Sequence, residues 1–222
     1  MKSMKTITFI RHGESIANAG GVTMAHDAIP LSELGKVQAQ ALAVALDLQP
    51  GRIVVSEFLR THETAQPFCD KVSMQPVIHS ALNEFSCLDP ALIQGMVGEQ
   101  RRPIAEAYWQ AADPNQRMGE QADTFHEFEQ RVTAFIPELD SLPDKTVLFG
   151  HGIWFALLTW KLLGFNARQH QGMQAFRRFR SDFPMPNTAV YRLESFAPGR
   201  WRVQADEATM NKVSAAMPAT LF

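Results

Sequence analysis

Four short segments rich in β-branched and apolar residues recur along the chain: KTITFI (5–10), RIVVS (52–56), PVIHSAL (76–82) and KTVLFG (145–150). Between them lie stretches with helical spacing of apolar residues. LSELGKVQAQALAVALDL (31–48) puts Leu34, Val37, Ala41, Ala45 and Leu48 on one face, with Ser32 as N-cap and Pro50-Gly51 as breaker. RTHETAQPF begins a second helix, and IWFALLTWKLL forms another that Gly164 can close. Short buried strands alternating with helices favour a parallel sheet covered on both faces. TAVYRLE and RWRVQA, joined around Pro198-Gly199, add a closing hairpin. The fold class is therefore α/β, with a mostly parallel central sheet, helices on both faces and a helical insertion forming a cap.

That insertion spans about 86–143 within a single domain covering 1–222, with helices expected over 90–112 and 124–139. Hydrophobic residues make up 45% of the chain and charged residues 20%, enough apolar material for a full core. A formal net charge of −2 leaves no global footprint for nucleic acid or an anionic membrane, so any anion site is local. No apolar run reaches the length of a membrane span, and the opening MKSMKTITFIRHG is a strand rather than a signal peptide. Cys69 and Cys87 lack metal-binding spacing and are expected as reduced thiols. A cytoplasmic location follows as the expectation. Nothing in the sequence assigns an oligomeric state.

Ligands of open α/β sheets bind beyond the carboxyl ends of the strands. The first strand ends in Arg11-His12-Gly13, and the second leads within a few residues to Arg60. The third leads to Glu84, and the fourth ends in His151-Gly152. Two arginines, two histidines and a carboxylate thus converge on one edge. Guanidinium forks bind phosphate oxygens bidentately, a neutral imidazole can attack phosphorus, and a carboxylic acid can protonate the departing oxygen. Such a set suits phosphoryl transfer. No HxH or HExxH pair anchors a metal. Glu14 reads as a charge at a helix N-terminus, and His26, His62, His79, His126 and His170 read as ordinary histidines. The basic run 168–180, with Arg168, Arg177, Arg178 and Arg180, reads as a solvated face that could instead rim the pocket and favour a substrate with more than one anionic group.

R-H-G-E at 11–14 with Asn18, the S-x-x-x-R-x-x-x-T-A run from Ser56 to Ala65, Glu84, and G-H-G at 150–152 resemble the histidine phosphatase superfamily, the phosphoglycerate mutase-like group. The resemblance covers nearly the whole chain. It departs from the common pattern at Thr61 and Glu63, at Gln121 after Gly119, and in the absence of Trp-Glu-Gly after Glu84. It implies a metal-independent phosphatase without cofactor, acting on a small phosphorylated substrate. His12 would carry the phosphoryl group, Glu84 would be the proton donor, and Arg11, Arg60 and His151 would surround the phosphate. Asn18, Gly152 and Asn187 would contact phosphate or substrate. A phosphoglycerate mutase-type transferase and a non-catalytic phospholigand-binding protein on the same fold are the alternatives; the modest insertion after Glu84 favours the phosphatase.

Overall fold

The computed structural model describes residues 5–217; the basic flank ahead of Lys5 lies outside them. Among the described residues six strands form one sheet in the order β3-β2-β4-β1-β5-β6. They are β1 (Thr6–Arg11), β2 (Arg52–Val55), β3 (Val77–Ile78), β4 (Thr146–Gly150), β5 (Val190–Ala197) and β6 (Arg200–Ala205). The first four run parallel, whereas β5 is antiparallel to both β1 and β6, so the expected hairpin forms one side of the sheet.

The period of two along the strands divides the core. Ile7, Phe9, Val54 and Leu148 belong to one cluster, while Ile10, Ile53, Val55, Val147 and Phe149 belong to another. The first layer packs under α3 (Gly98–Ala111), α4 (Phe125–Leu139), α5 (Gly152–Leu162) and α6 (His170–Asp182). The second is covered by α1 (Glu33–Ala45), α2 (Leu59–Val72) and α7 (Glu207–Ala216). Because α5 is apolar all round, it is buried all round, from Trp154 to Thr159. No helix among the described residues is long and apolar enough to cross a membrane.

Several elements differ from the sequence expectation. The third strand contracts to Val77–Ile78, both exposed, because the His79 ring accepts a hydrogen bond from Ala81 N (3.2 Å) and turns the chain into a 3₁₀ segment, Ser80–Leu82. The helix expected over 90–112 is broken: a 3₁₀ turn, Pro90–Ile93, precedes α3, and Gly95 between them has φ 76°. α1 ends at Ala45, short of Leu48; of the expected face Ala41 and Ala45 are buried while Leu34 and Val37 are only half-buried, and Ala39 and Leu42 are buried instead, because α1 packs against both α2 and α7. Of the stretch 86–143, residues 86–105 reach over the strand ends, while α4 lies in the core layer through Phe128, Val132, Phe135 and Leu139.

The loop after β1 is fixed by backbone contact. Gly13 and Gly35 abut: a Cβ at Gly35 would stand 1.9 Å from the Glu14 carbonyl oxygen, and one at Gly13 would stand 2.8 Å from the Gly35 oxygen. Ser32 Oγ caps α1 by accepting from Gly35 N (3.0 Å) and donates to Glu14 Oε1 (2.6 Å), so Glu14 sits at that helix's N-terminus. Gly35→Ala should therefore destabilise the protein by about 1–3 kcal/mol, the usual cost of overpacking. Urea unfolding measures this; a loss under about 0.5 kcal/mol, the range of neutral surface changes, would show that the contact can relax.

Candidate active site

Parallel pairing places Arg11 of β1 opposite Gly150 of β4, and the His12 N–H donates to the Gly150 carbonyl (3.0 Å). The next residue of each strand is a histidine, and the two rings lie 5.2 Å apart, edge to face. His12 is 4% exposed. Its Nδ1 is 2.6 Å from the Gly13 carbonyl oxygen, which can only accept, so Nδ1 carries the proton and Nε2 presents a lone pair. Arg60 Nε donates to that Nε2 (3.3 Å), which agrees with the assignment. Burial first, then the charges of Arg60 and Arg11, push the His12 pKa well below the ordinary histidine value. The ring is a neutral base with its free nitrogen among cations.

His151 ends β4 just ahead of α5 and is fully buried. Its Nε2 is 2.8 Å from Ser56 Oγ, at the end of β2, and its Nδ1 has no partner among the described residues. Burial, then Arg60, His12 and Arg11, push its pKa well below the ordinary value too.

Arg60 stands in the first turn of α2, with its guanidinium 4.8 Å from the centre of the Phe58 ring and Nη1 donating to the His26 carbonyl (2.8 Å). Burial lowers its pKa to about 10, so it stays charged at neutral pH. Arg11 donates Nη1 to the Met185 carbonyl, and its Nε is buried without a partner among the described residues. Gly152 lies against it: a Cβ there would stand at contact distance, 3.4 Å, from Arg11 Nε.

Glu84 sits on the open end of α5. Its Oε2 accepts from Ile153 N (2.9 Å), and its Oε1 accepts from Trp154 N (2.9 Å) and Phe85 N (3.0 Å). These first-turn N–H groups have no partner within the helix, and the helix dipole favours an anion beside them. Its charge also acts on Arg11 and Arg60, opposing the loss of charge that burial favours.

Arg11, His12, Asn18, Arg60, Glu84 and Gly152 line one cavity of about 800 Å³. His151 and Asn187 are not among the lining residues. His151 stands behind His12, and Asn187 Nδ2 donates to the His12 carbonyl (3.2 Å) and to Asn18 Oδ1 (3.1 Å). The Asn187 side chain thus ties the two loops together. Thr188 beside it holds φ 60°, a conformation that β-branched residues rarely adopt. Among the described residues no three His, Cys, Asp or Glu side chains group as a metal site. Both cysteines are free, and burial pushes the Cys87 thiol in the cavity wall up to about 11.

Sequence reasoning had treated His26 as ordinary, yet it lines the cavity and holds Arg60 through its carbonyl. The basic run divides. Arg180 faces the cavity, Arg168 pairs with Glu129 (3.4 Å), and Arg177 and Arg178 line a second cavity of about 450 Å³. The signal that separates them is helical phase on α6, an element that the sequence reading did not assign.

The family model for the histidine phosphatase superfamily (branch 1) matches residues 7–207. An adenosylcobalamin/alpha-ribazole phosphatase of Salmonella typhimurium is 32% identical over 163 residues, covering 69% of this chain and 77% of its own. A probable phosphoglycerate mutase of Yersinia enterocolitica is 25% identical over 169 residues, covering 72% and 76%. Among solved structures, the alpha-ribazole phosphatase from Shigella flexneri superposes with a TM-score of 0.70 at 22% identity, over 90% of this chain and 95% of that one. A mycobacterial glucosyl-3-phosphoglycerate phosphatase gives 0.69 at 24% identity, over 90% and 98%. These structures share the fold.

The depressed histidines have a pH consequence. Below about 6.5, the unfolded chain takes up protons on both rings while the folded chain resists, so each ring lowers stability as pH falls. In ¹⁵N NMR at about pH 6, near the ordinary histidine midpoint, both rings should still read as neutral, His12 with its proton on Nδ1. A midpoint at or above 6.5 for either ring would overturn this.

Proposed function

The chain belongs to the histidine phosphatase superfamily, and from that premise we propose that it hydrolyses phosphomonoesters without a metal, through a phosphohistidine on His12. The observation that carries this reading is the unprotonated Nε2 of a buried imidazole, facing Arg60 and kept neutral by burial and by the charges of Arg60 and Arg11.

In the first step the Nε2 lone pair of His12 attacks phosphorus, the N–P bond forms and the bond to the ester oxygen breaks. Arg11 and Arg60 hold the charge that spreads over the transferring group. Glu84 serves as the acid in its protonated form. It passes its proton to the departing oxygen. In the second step water attacks phosphorus, Glu84 accepts its proton, and the P–N bond breaks to return the pair of electrons to Nε2. Ester and water become alcohol and phosphate. The Gly13 carbonyl holds the His12 ring through Nδ1, and Asn187 holds the His12 main chain. His151, hydrogen-bonded to Ser56, backs the His12 ring.

The test is a rapid quench with labelled ester. Wild-type protein should carry a label that hot acid removes and alkali does not, and His12→Ala should carry none and turn over nothing. Label on the alanine variant would point to another nucleophile. Exchange of label between phosphoglycerates with little free phosphate would move the reading to a mutase.

Glu84 has a separate signature, because an acid matters most for a poor leaving group. Glu84→Gln should slow alkyl phosphates by roughly 10²–10⁴-fold, the usual contribution of a positioned general acid. On p-nitrophenyl phosphate it should leave a burst of nitrophenol followed by slow turnover. Equal slowing of both esters without a burst would remove Glu84 from the proton-donor role.

A further inference from the structure

Five arginines and one carboxylate, Glu84, line the catalytic cavity. Arg11 and Arg60 are taken by the transferred phosphate in the function proposed above. Arg101 is spent within the protein: it donates to the carbonyls of Gly21 (2.9 Å) and Met96 (2.9 Å) and to Thr23 Oγ1 (2.8 Å). That leaves Arg102 on α3 and Arg180 on α6, neither with a hydrogen-bond or ion-pair partner among the described residues.

Arg180 is not a solvated surface charge. It is half-buried, its guanidinium lies 5.3 Å from the centre of the Trp109 ring, and Ser181, Phe183 and Met185 line the cavity beside it. Stacking on indole holds the planar fork in place, so little freedom is lost when it binds an anion. Burial disfavours its charge, while Glu84 is the leading charge that favours it. A guanidinium withdrawn from water without an acceptor is costly, and a ligand anion removes that cost. One phosphate already faces Arg11 and Arg60. The surplus cations call for a second anion.

We propose that the substrate carries a second anionic group, seated by Arg180 with Arg102 at the cavity mouth, while its phosphate lies at His12. The inference rests on the phosphatase reading. A carboxylate and a second phosphate share the required chemistry, and matched esters separate them. 3-Phosphoglycerate and glycerol 3-phosphate differ by carboxylate against hydroxymethyl; fructose 1,6-bisphosphate and fructose 6-phosphate differ by the second phosphate.

Wild-type kcat/KM should favour the doubly anionic member of at least one pair by about tenfold or more, as expected of a charge-assisted contact. Arg180→Gln should shrink that preference by about tenfold, and Arg180→Lys should restore part of it. The pair that responds names the second group. Equal loss on both members of each pair would mean that Arg180 serves the transferred phosphate, and would overturn the inference while leaving the phosphatase reading intact. No wild-type preference in either pair would overturn it as well. Failure to hydrolyse any of these esters, p-nitrophenyl phosphate included, would remove the phosphatase reading and the inference together.

Discussion

The in-register parallel pairing of β1 with β4 is the constraint on which the site depends. Because Arg11 faces Gly150, the first residue after each strand stands beside its counterpart, and both are histidines. A shift of one residue would turn Ile7 and Phe9 out of their layer along with moving His12, so the apolar pattern that builds the core also sets the spacing of the two rings. The neighbouring strand extends the same logic: Val55 pairs with Phe149, and Ser56 then falls within hydrogen-bond reach of His151. Core register and catalytic geometry are one property of this sheet.

The charges gathered at that edge oppose folding. Arg11 and Arg60 are withdrawn from water with Glu84 as their main opposing charge, and each guanidinium is steadied through a main-chain carbonyl, Met185 or His26. Glu84 in turn is steadied by the open end of α5, a helix that the core holds on every side. The site is thus propped by the most rigid parts of the molecule. Thr188 at φ 60° is a further local strain beside the same loops, held where Asn187 can bind the His12 carbonyl. A phosphate dianion would relieve much of this imbalance, which ties affinity for the ligand to the instability of the empty site.

What the sequence revealed follows the strength of local signals. Strand ends carrying Arg11-His12, Arg60, Glu84 and His151 were legible because strand, turn and polar residue are adjacent in the chain. The element α7 was not: it buries only Val213, too little apolar surface to make a period. The helix α6 was hidden by its three arginines, which with Arg168 just ahead of it read as a charged run although Met173 and Phe176 anchor it. For the same reason the inward turn of Arg180 could not be separated from the outward turn of its neighbours. The Glu84 contact with α5 was invisible too, since it joins residues some seventy positions apart.

The resting contact between Arg60 and His12 completes the argument. An imidazole among cations is already biased against protonation, and here its free nitrogen also accepts an N–H from Arg60 at 3.3 Å. That bond occupies the lone pair that, in the proposed reaction, has to reach phosphorus. The bond is long, and a phosphate oxygen, being charged, is a stronger acceptor than the ring and would take the N–H for itself. In the proposed reaction, binding the anion would free the attacking nitrogen in the same movement. A neutral ligand of similar size would leave Arg60 on His12 and the lone pair engaged. Under the proposed function, the arrangement would link recognition of charge to release of the Nε2 lone pair.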